Sequence, residues 1–154
     1  MDAVAEFFRR VPLEIERAGG TLPWRAGLLG LALLLNIGFY VPLDGAGAGV
    51  PGLDKAVHLL VFALTVFAAG RVLAPRRRFP MGWVVVVALV HAVAIEVIQH
   101  VALAGRIGDP VDVLFDAVGI ALGVALWVAE RQLRRTAAVH EVEPEAPPVE
   151  AHSR

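Results

Sequence analysis

The sequence predicts an all-α membrane protein, a bundle of four transmembrane helices with a polar pocket toward the extracytoplasmic side. Three observations lead there. The first is composition: of 154 residues, 57% are hydrophobic and only 19% charged, with a mean hydropathy of +0.66. A soluble domain carries about 25% charge, and one this short has too little interior to hide so many Leu, Val and Ala side chains. The second is length: apolar stretches fall at about 22–41, 55–74, 81–104 and 111–129, each near the ~20 residues that cross the hydrocarbon core as a helix. The third is phase: the polar residues inside the second, third and fourth stretches recur at helical spacing, on one face of each.

Residues 1–20 carry Phe7, Phe8, Val11 and Ile15 among acids and arginines. They read either as a short amphipathic helix on the cytoplasmic face or as a frayed start. Ala46-Gly47-Ala48 fits a signal-peptidase site. The stretch before it is long for a signal peptide and its leading segment is rich in acids, so the first span is expected to remain. Turn chemistry separates the spans, at D-G-A-G-A-G-V-P-G (Asp44 to Gly52), P-R-R-R-F-P (Pro75 to Pro80) and G-R-I-G-D-P (Gly105 to Pro110). Residues 131–154, increasingly rich in Pro, Glu and Ala, are expected to form a disordered cytoplasmic tail.

Orientation follows from the basic residues. Arg9, Arg10, Arg17 and Arg25 precede the first span; Arg71, Arg76, Arg77 and Arg78 lie between the second and third; Arg131, Arg134, Arg135 and Arg154 follow the fourth. That places 12 of 14 on one side and leaves Lys55 and Arg106 on the other. Both termini are therefore expected in the cytoplasm, of a bacterial membrane. Trp24, Trp83 and Trp127 fall at one interface and Tyr40 at the other, as aromatic belts do. A net charge of −1 says nothing by itself about nucleic-acid or acidic partners; membrane lipids rather than nucleic acid are the expected partners, and the absence of Cys excludes disulfides and thiolate chemistry.

Ionisable groups inside a membrane are costly and mark function or pairing. Here they are Asp54, Lys55 and His58 opening the second span; His91, Glu96, Gln99 and His100 in the third; Arg106 and Asp109 in the loop; and Asp112 and Asp116 opening the fourth. Apart from His91, near the midplane, they occupy the outer half, with Glu96 ~12 Å below the end of its span at 1.5 Å per residue. Asp112 and Asp116 share a face with Gly119 and Gly123, a G-x-x-x-G pair that admits a close helix neighbour. Ala88 and Ala92 share the face of Glu96. Asp109-Pro110 also reads as a helix start, Asp capping and Pro at the first position.

These residues resemble the VanZ-like family of small membrane proteins. D-K-A-V-H-L-L-V-F supplies Asp54, Lys55, His58 and Phe62; E-V-I-Q supplies Glu96 and Gln99; R-I-G-D-P-V-D-V-L-F-D-A-V-G supplies Arg106, Asp112 and Gly119. The similarity covers roughly 25–130 in order and spacing. One departure is Asp116, where the family commonly has Asn: an amide donates and accepts, an ionised carboxylate only accepts. The resemblance implies the four-helix fold and a link to glycopeptide resistance, with no agreed activity.

Three functions compete. In the first, the pocket binds or processes the head group of an envelope lipid or glycolipid. Glu96, His58 and Asp112 are the catalytic candidates, and Arg106, Lys55, Asp54, Gln99 and Asp116 hold the substrate, with charge-assisted bonds to phosphate. In the second, the chain is a non-enzymatic accessory or resistance protein that binds an amphiphilic antibiotic or envelope precursor. In the third, the polar cluster only fixes helix packing. The acid and histidine set could take a divalent cation, but spacing across three helices does not specify one, and oligomeric state stays open. Four short spans without a midplane break argue against a transporter.

Overall fold

The computed structural model describes residues 20–41, 52–73, 80–103, 105 and 108–142, with side chains as far as Thr136. Every element among them is helical. α1 (Leu22–Ile37) passes into a 3-10 turn at Gly38–Tyr40, followed by α2 (Leu53–Leu73), α3 (Met81–Ala102) and α4 (Pro110–Val142). All four are long and apolar enough to cross a membrane: Leu22–Tyr40, Leu53–Leu73, Met81–Ala102 and, within α4, Pro110–Thr136. The starts follow local chemistry. Proline stands in the first turn of α1 and at the first position of α4, where its missing N–H costs nothing.

The distribution of side chains is that of a protein solvated by lipid. Large aliphatics lie outside, such as Leu31, Leu33 and Leu34 on α1 and Val86, Val90 and Val97 on α3. The buried faces are mostly small, β-branched or aromatic (Ala32, Ala88, Ala92, Val66, Phe39, Phe62), and among the described residues six buried ones are polar: Asn36, His58, Glu96, Gln99, Asp112 and Asp116. In water this pattern would be backwards; in hydrocarbon only the polar groups gain from leaving the solvent.

The closest pairing is α2 with α4, and it is parallel. Gly119 sits against the carbonyl of Leu59, Gly123 against Ala63 and Val66, and Gly70 against the ring of Trp127. A Cβ at Gly119 would collide with the Leu59 carbonyl oxygen, and one at Gly123 would lie 2.6 Å from that of Ala63. The G-x-x-x-G pair thus lets the two backbones meet, as expected of it. α1 packs on α2, and α3 bridges α4 and the 3-10 turn.

Charges gather at the two ends. Glu130 Oε1 accepts Arg134 at 2.8 Å and Arg71 at 3.2 Å, tying the last turn of α2 to α4. Arg25 and Arg131 line the same recess, and the Arg131 guanidinium lies 4.8 Å from the centre of the Trp127 ring. Arginines from the start of α1, the end of α2 and the far part of α4 therefore share one end, the alternation that an up-and-down bundle requires. The opposite, acidic end holds Lys55, Asp109 and Asp112.

One boundary differs from expectation. α4 continues to Val142, so the part of the tail at 131–142 is helical rather than disordered. Its first residues (R-Q-L-R-R-T-A-A, from Arg131) are good helix formers apart from Thr136, and the Glu130–Arg134 pair adds i,i+4 support. Residues 1–19 and 143–154, and with them the amphipathic segment, lie outside the described residues.

Candidate functional site: a buried histidine and two carboxylates

At the acidic end, three helices bring three titratable side chains together. His58 comes from the second turn of α2, Glu96 from the last turns of α3 and Asp116 from the second turn of α4; all are buried. One ligand atom from each lies within 4.8 Å of the other two. His58 Nδ1–H donates to Asp116 Oδ1 at 2.9 Å, both side chains being almost wholly inaccessible. This bond orients the imidazole and leaves its other nitrogen available. The Phe39 ring covers the imidazole, with centroids 4.3 Å apart.

Glu96 is held from above by the loop. Its Oε2 accepts the Asp109 backbone N–H at 2.7 Å. That contact needs Gly108, since a Cβ there would collide with the Glu96 carbonyl oxygen. The remaining carboxylate atoms of the centre, Glu96 Oε1 and Asp116 Oδ2, are buried without a hydrogen-bond partner among the described residues. Buried polar groups are normally satisfied, so two orphaned acceptors in one centre call for an explanation.

Above the centre stands a rim built on Lys55. Its ammonium bonds Asp109 Oδ2 and Asp112 Oδ1, each at 2.9 Å, and Asp54 lies 3.6 Å away. The Lys55 bond holds the Asp109 carboxyl below its ordinary pKa, helped by the Val111 N–H that Asp109 Oδ1 caps at 2.9 Å. Asp109 is therefore helix cap, ion-pair partner and donor to Glu96 at once. Asp54 is largely exposed at the edge of the rim. Gln99 turns elsewhere: its Nε2 donates to the Phe39 carbonyl at 3.0 Å and pins the 3-10 turn. His100 is exposed. Arg106 lies outside the described residues, so the structure places seven of the eight named candidates and gathers His58, Glu96 and Asp116 most tightly.

A second polar network lies deeper. Asn36 Nδ2 donates to Ala32 O at 2.7 Å and to Thr65 Oγ1 at 2.8 Å, leaving Oδ1 to accept from His91 Nε2–H at 3.2 Å. His91 Nδ1 is then the acceptor facing the Tyr40 hydroxyl at 3.4 Å, which describes a neutral imidazole. Asn36, Thr65 and His91 border an otherwise apolar cavity of about 350 Å³ between α1, α2 and α3, with Phe62, Val66 and Ala88 in its wall. Phe62, in the wall of this cavity, meets Phe39 in a tilted contact at 6.1 Å, and Phe39 in turn lies against His58. Sequence reasoning passed over Asn36 and Thr65. Asn36 is the sole amide in its span and could have been noticed for that reason; a single Thr carries no such signal.

Fold and site together define a class: a small four-helix membrane bundle with cationic and acidic ends and a buried histidine–carboxylate centre. Within that class the chain belongs to the VanZ/LLP1 family, whose family model matches residues 5–131. No curated protein and no solved structure matches it.

Proposed function

We propose that the acidic end is an extracytoplasmic site for the phosphate-bearing head group of an envelope lipid or glycolipid, and that this is the route by which such a protein affects glycopeptide susceptibility. Lys55 and Arg106 supply the positive charge for the phosphate. His58, oriented by Asp116, and Glu96 stand where a proton would be taken or given during binding or bond cleavage. The observation that sets this reading apart from mere packing is the pair of partnerless buried oxygens, Glu96 Oε1 and Asp116 Oδ2, beneath the Lys55 ammonium that would meet the phosphate. A cluster whose sole task was packing would be expected to satisfy its own atoms.

A second reading, a non-enzymatic accessory protein that holds an amphiphile, is favoured by the apolar cavity beneath the Phe39–Phe62 pair. Both are tested on the full chain in nanodiscs of zwitterionic phospholipid doped with a polyprenyl phosphate, read by native mass spectrometry. The head-group reading expects retention of the polyprenyl phosphate by the wild type and loss in Lys55→Met and Arg106→Gln. Loss in Ala88→Phe, which fills the cavity, with Lys55→Met unaffected would transfer support to the accessory reading. No retention by folded wild type sinks the head-group reading.

A further inference from the structure

We infer that His58, Glu96 and Asp116 form a binding site for one divalent transition-metal ion. The inference deepens the reading above and rests on treating this centre as a functional site.

Three features converge. The first is donor chemistry. One imidazole and two carboxylates, each from a different helix, make the mixed nitrogen and oxygen set that suits Zn²⁺, Mn²⁺ or Fe²⁺, while the absence of Cys removes any thiolate competitor. The second is distance. Donor atoms around such an ion sit ~2.0–2.2 Å from it, hence roughly 3–4 Å from one another. One ligand atom from each side chain already lies within 4.8 Å of the others, and the 2.9 Å His58 Nδ1–Asp116 Oδ1 hydrogen bond gives way as the ion takes the place of the Nδ1 proton, so rotamer adjustments of about an ångström close the site. The third is free acceptor capacity: Glu96 Oε1 and Asp116 Oδ2 are buried, and neither has a hydrogen-bond partner among the described residues. Asp116 has no exposed surface and Glu96 is 7% exposed, so water is poorly placed to serve them.

Charge gives an independent reason. Lys55, the permanent cation among the described residues at this end, is engaged by Asp109 and Asp112. Below it two carboxylates face one histidine, which can neutralise at most one of them. A divalent ion with neutral imidazole balances both in a low-dielectric setting, where an uncompensated charge is most costly. Three protein donors also leave a coordination position open, the arrangement of sites that bind a further oxygen rather than merely brace a fold. A phosphate oxygen descending past Lys55 is the ligand of that chemistry.

The supporting shell is present. Gly108 lets the loop approach α3 so that Asp109 N–H holds one Glu96 oxygen, which leaves the other for the ion. Phe39 covers the imidazole and excludes solvent from that side. Asp116 supplies the second negative charge, so an ion should bind more tightly here than in an Asp116→Asn variant.

The test uses the full chain in detergent, stripped with chelator and then equilibrated separately with Zn²⁺, Mn²⁺ and Co²⁺. Metal content is read after gel filtration, and Co²⁺ also by its visible absorption. About one ion per chain is expected. Asp116→Asn and Glu96→Gln should weaken binding about tenfold or more, while Glu130→Gln, at the opposite end of the bundle, should leave the stoichiometry unchanged. Stoichiometric uptake that survives Glu96→Gln, Asp116→Asn and His58→Gln would overturn the assignment, as would folded wild type that takes up none of the three ions. The wild-type measurement decides even if a variant fails to fold. Metal without polyprenyl phosphate leaves this inference standing and removes the head-group reading; retained phosphate without metal does the reverse.

Discussion

Asp116 shows how one carboxylate can carry both structure and chemistry. It is wholly buried, bonds His58 through Oδ1 and keeps Oδ2 free. The two roles separate by substitution. Asp116→Asn retains an acceptor for the His58 N–H, so the fold should persist with a small change in stability. Asp116→Ala leaves the His58 donor buried without a partner, which costs about 1–3 kcal/mol. Thermal unfolding in detergent should rank the wild type and Asp116→Asn close together and Asp116→Ala clearly below. Equal midpoints for all three would show that the His58–Asp116 bond contributes nothing to stability. Asp109 carries a similar double load, as cap of α4 and partner of Lys55.

Helix by helix, the molecule depends on the α2–α4 seam. Gly119 touches backbone of Leu59, and backbone cannot rotate away as a side chain can. Gly119→Ala should force the helices apart and cost about 1–3 kcal/mol, the usual range for overpacking. Gly30 on α1 has nothing within 4 Å of an added Cβ, so Gly30→Ala should be neutral or slightly stabilising through helix propensity. Comparing the two unfolding midpoints checks the seam, and equal behaviour would contradict it. Because the same seam sets the register of His58 against Asp116, Gly119→Ala should also perturb the buried centre, which lies about one turn away along α4.

At the level of the complete bundle, arginines occupy one end and acids with Lys55 the other. The arginine-rich end is expected in the cytoplasm. A Cys placed at Gly47 or Ile107 should then react with an impermeant thiol reagent applied from outside, while one at Arg77 should react only after the membrane is opened. The reverse pattern would invert the bundle and turn the acidic end inward, away from any outer-leaflet head group. Orientation and site are thereby tested together.

Much was legible from the chain because lipid imposes a strict grammar. Backbone groups must be satisfied within each span and charges must be grouped, so apolar runs and the places of Arg and Lys are enough to draw four helices and their alternation. Faces were legible too: Asp112, Asp116, Gly119 and Gly123 announced an inward stripe at helical spacing. Which partner each residue takes was not. Gln99 shares a face with Glu96, yet it bonds the Phe39 carbonyl; Asp54 is i,i+4 to His58, yet it points to the rim. Those choices depend on the rotation and depth of helices whose loops span few residues, and they are settled by packing: the Leu59–Gly119 contact, the Gly108 approach and the Phe39 ring over His58. Periodicity reports an angle around one helix axis. Distances between axes arise only when small residues meet, and on those distances the meeting of His58, Glu96 and Asp116 depends.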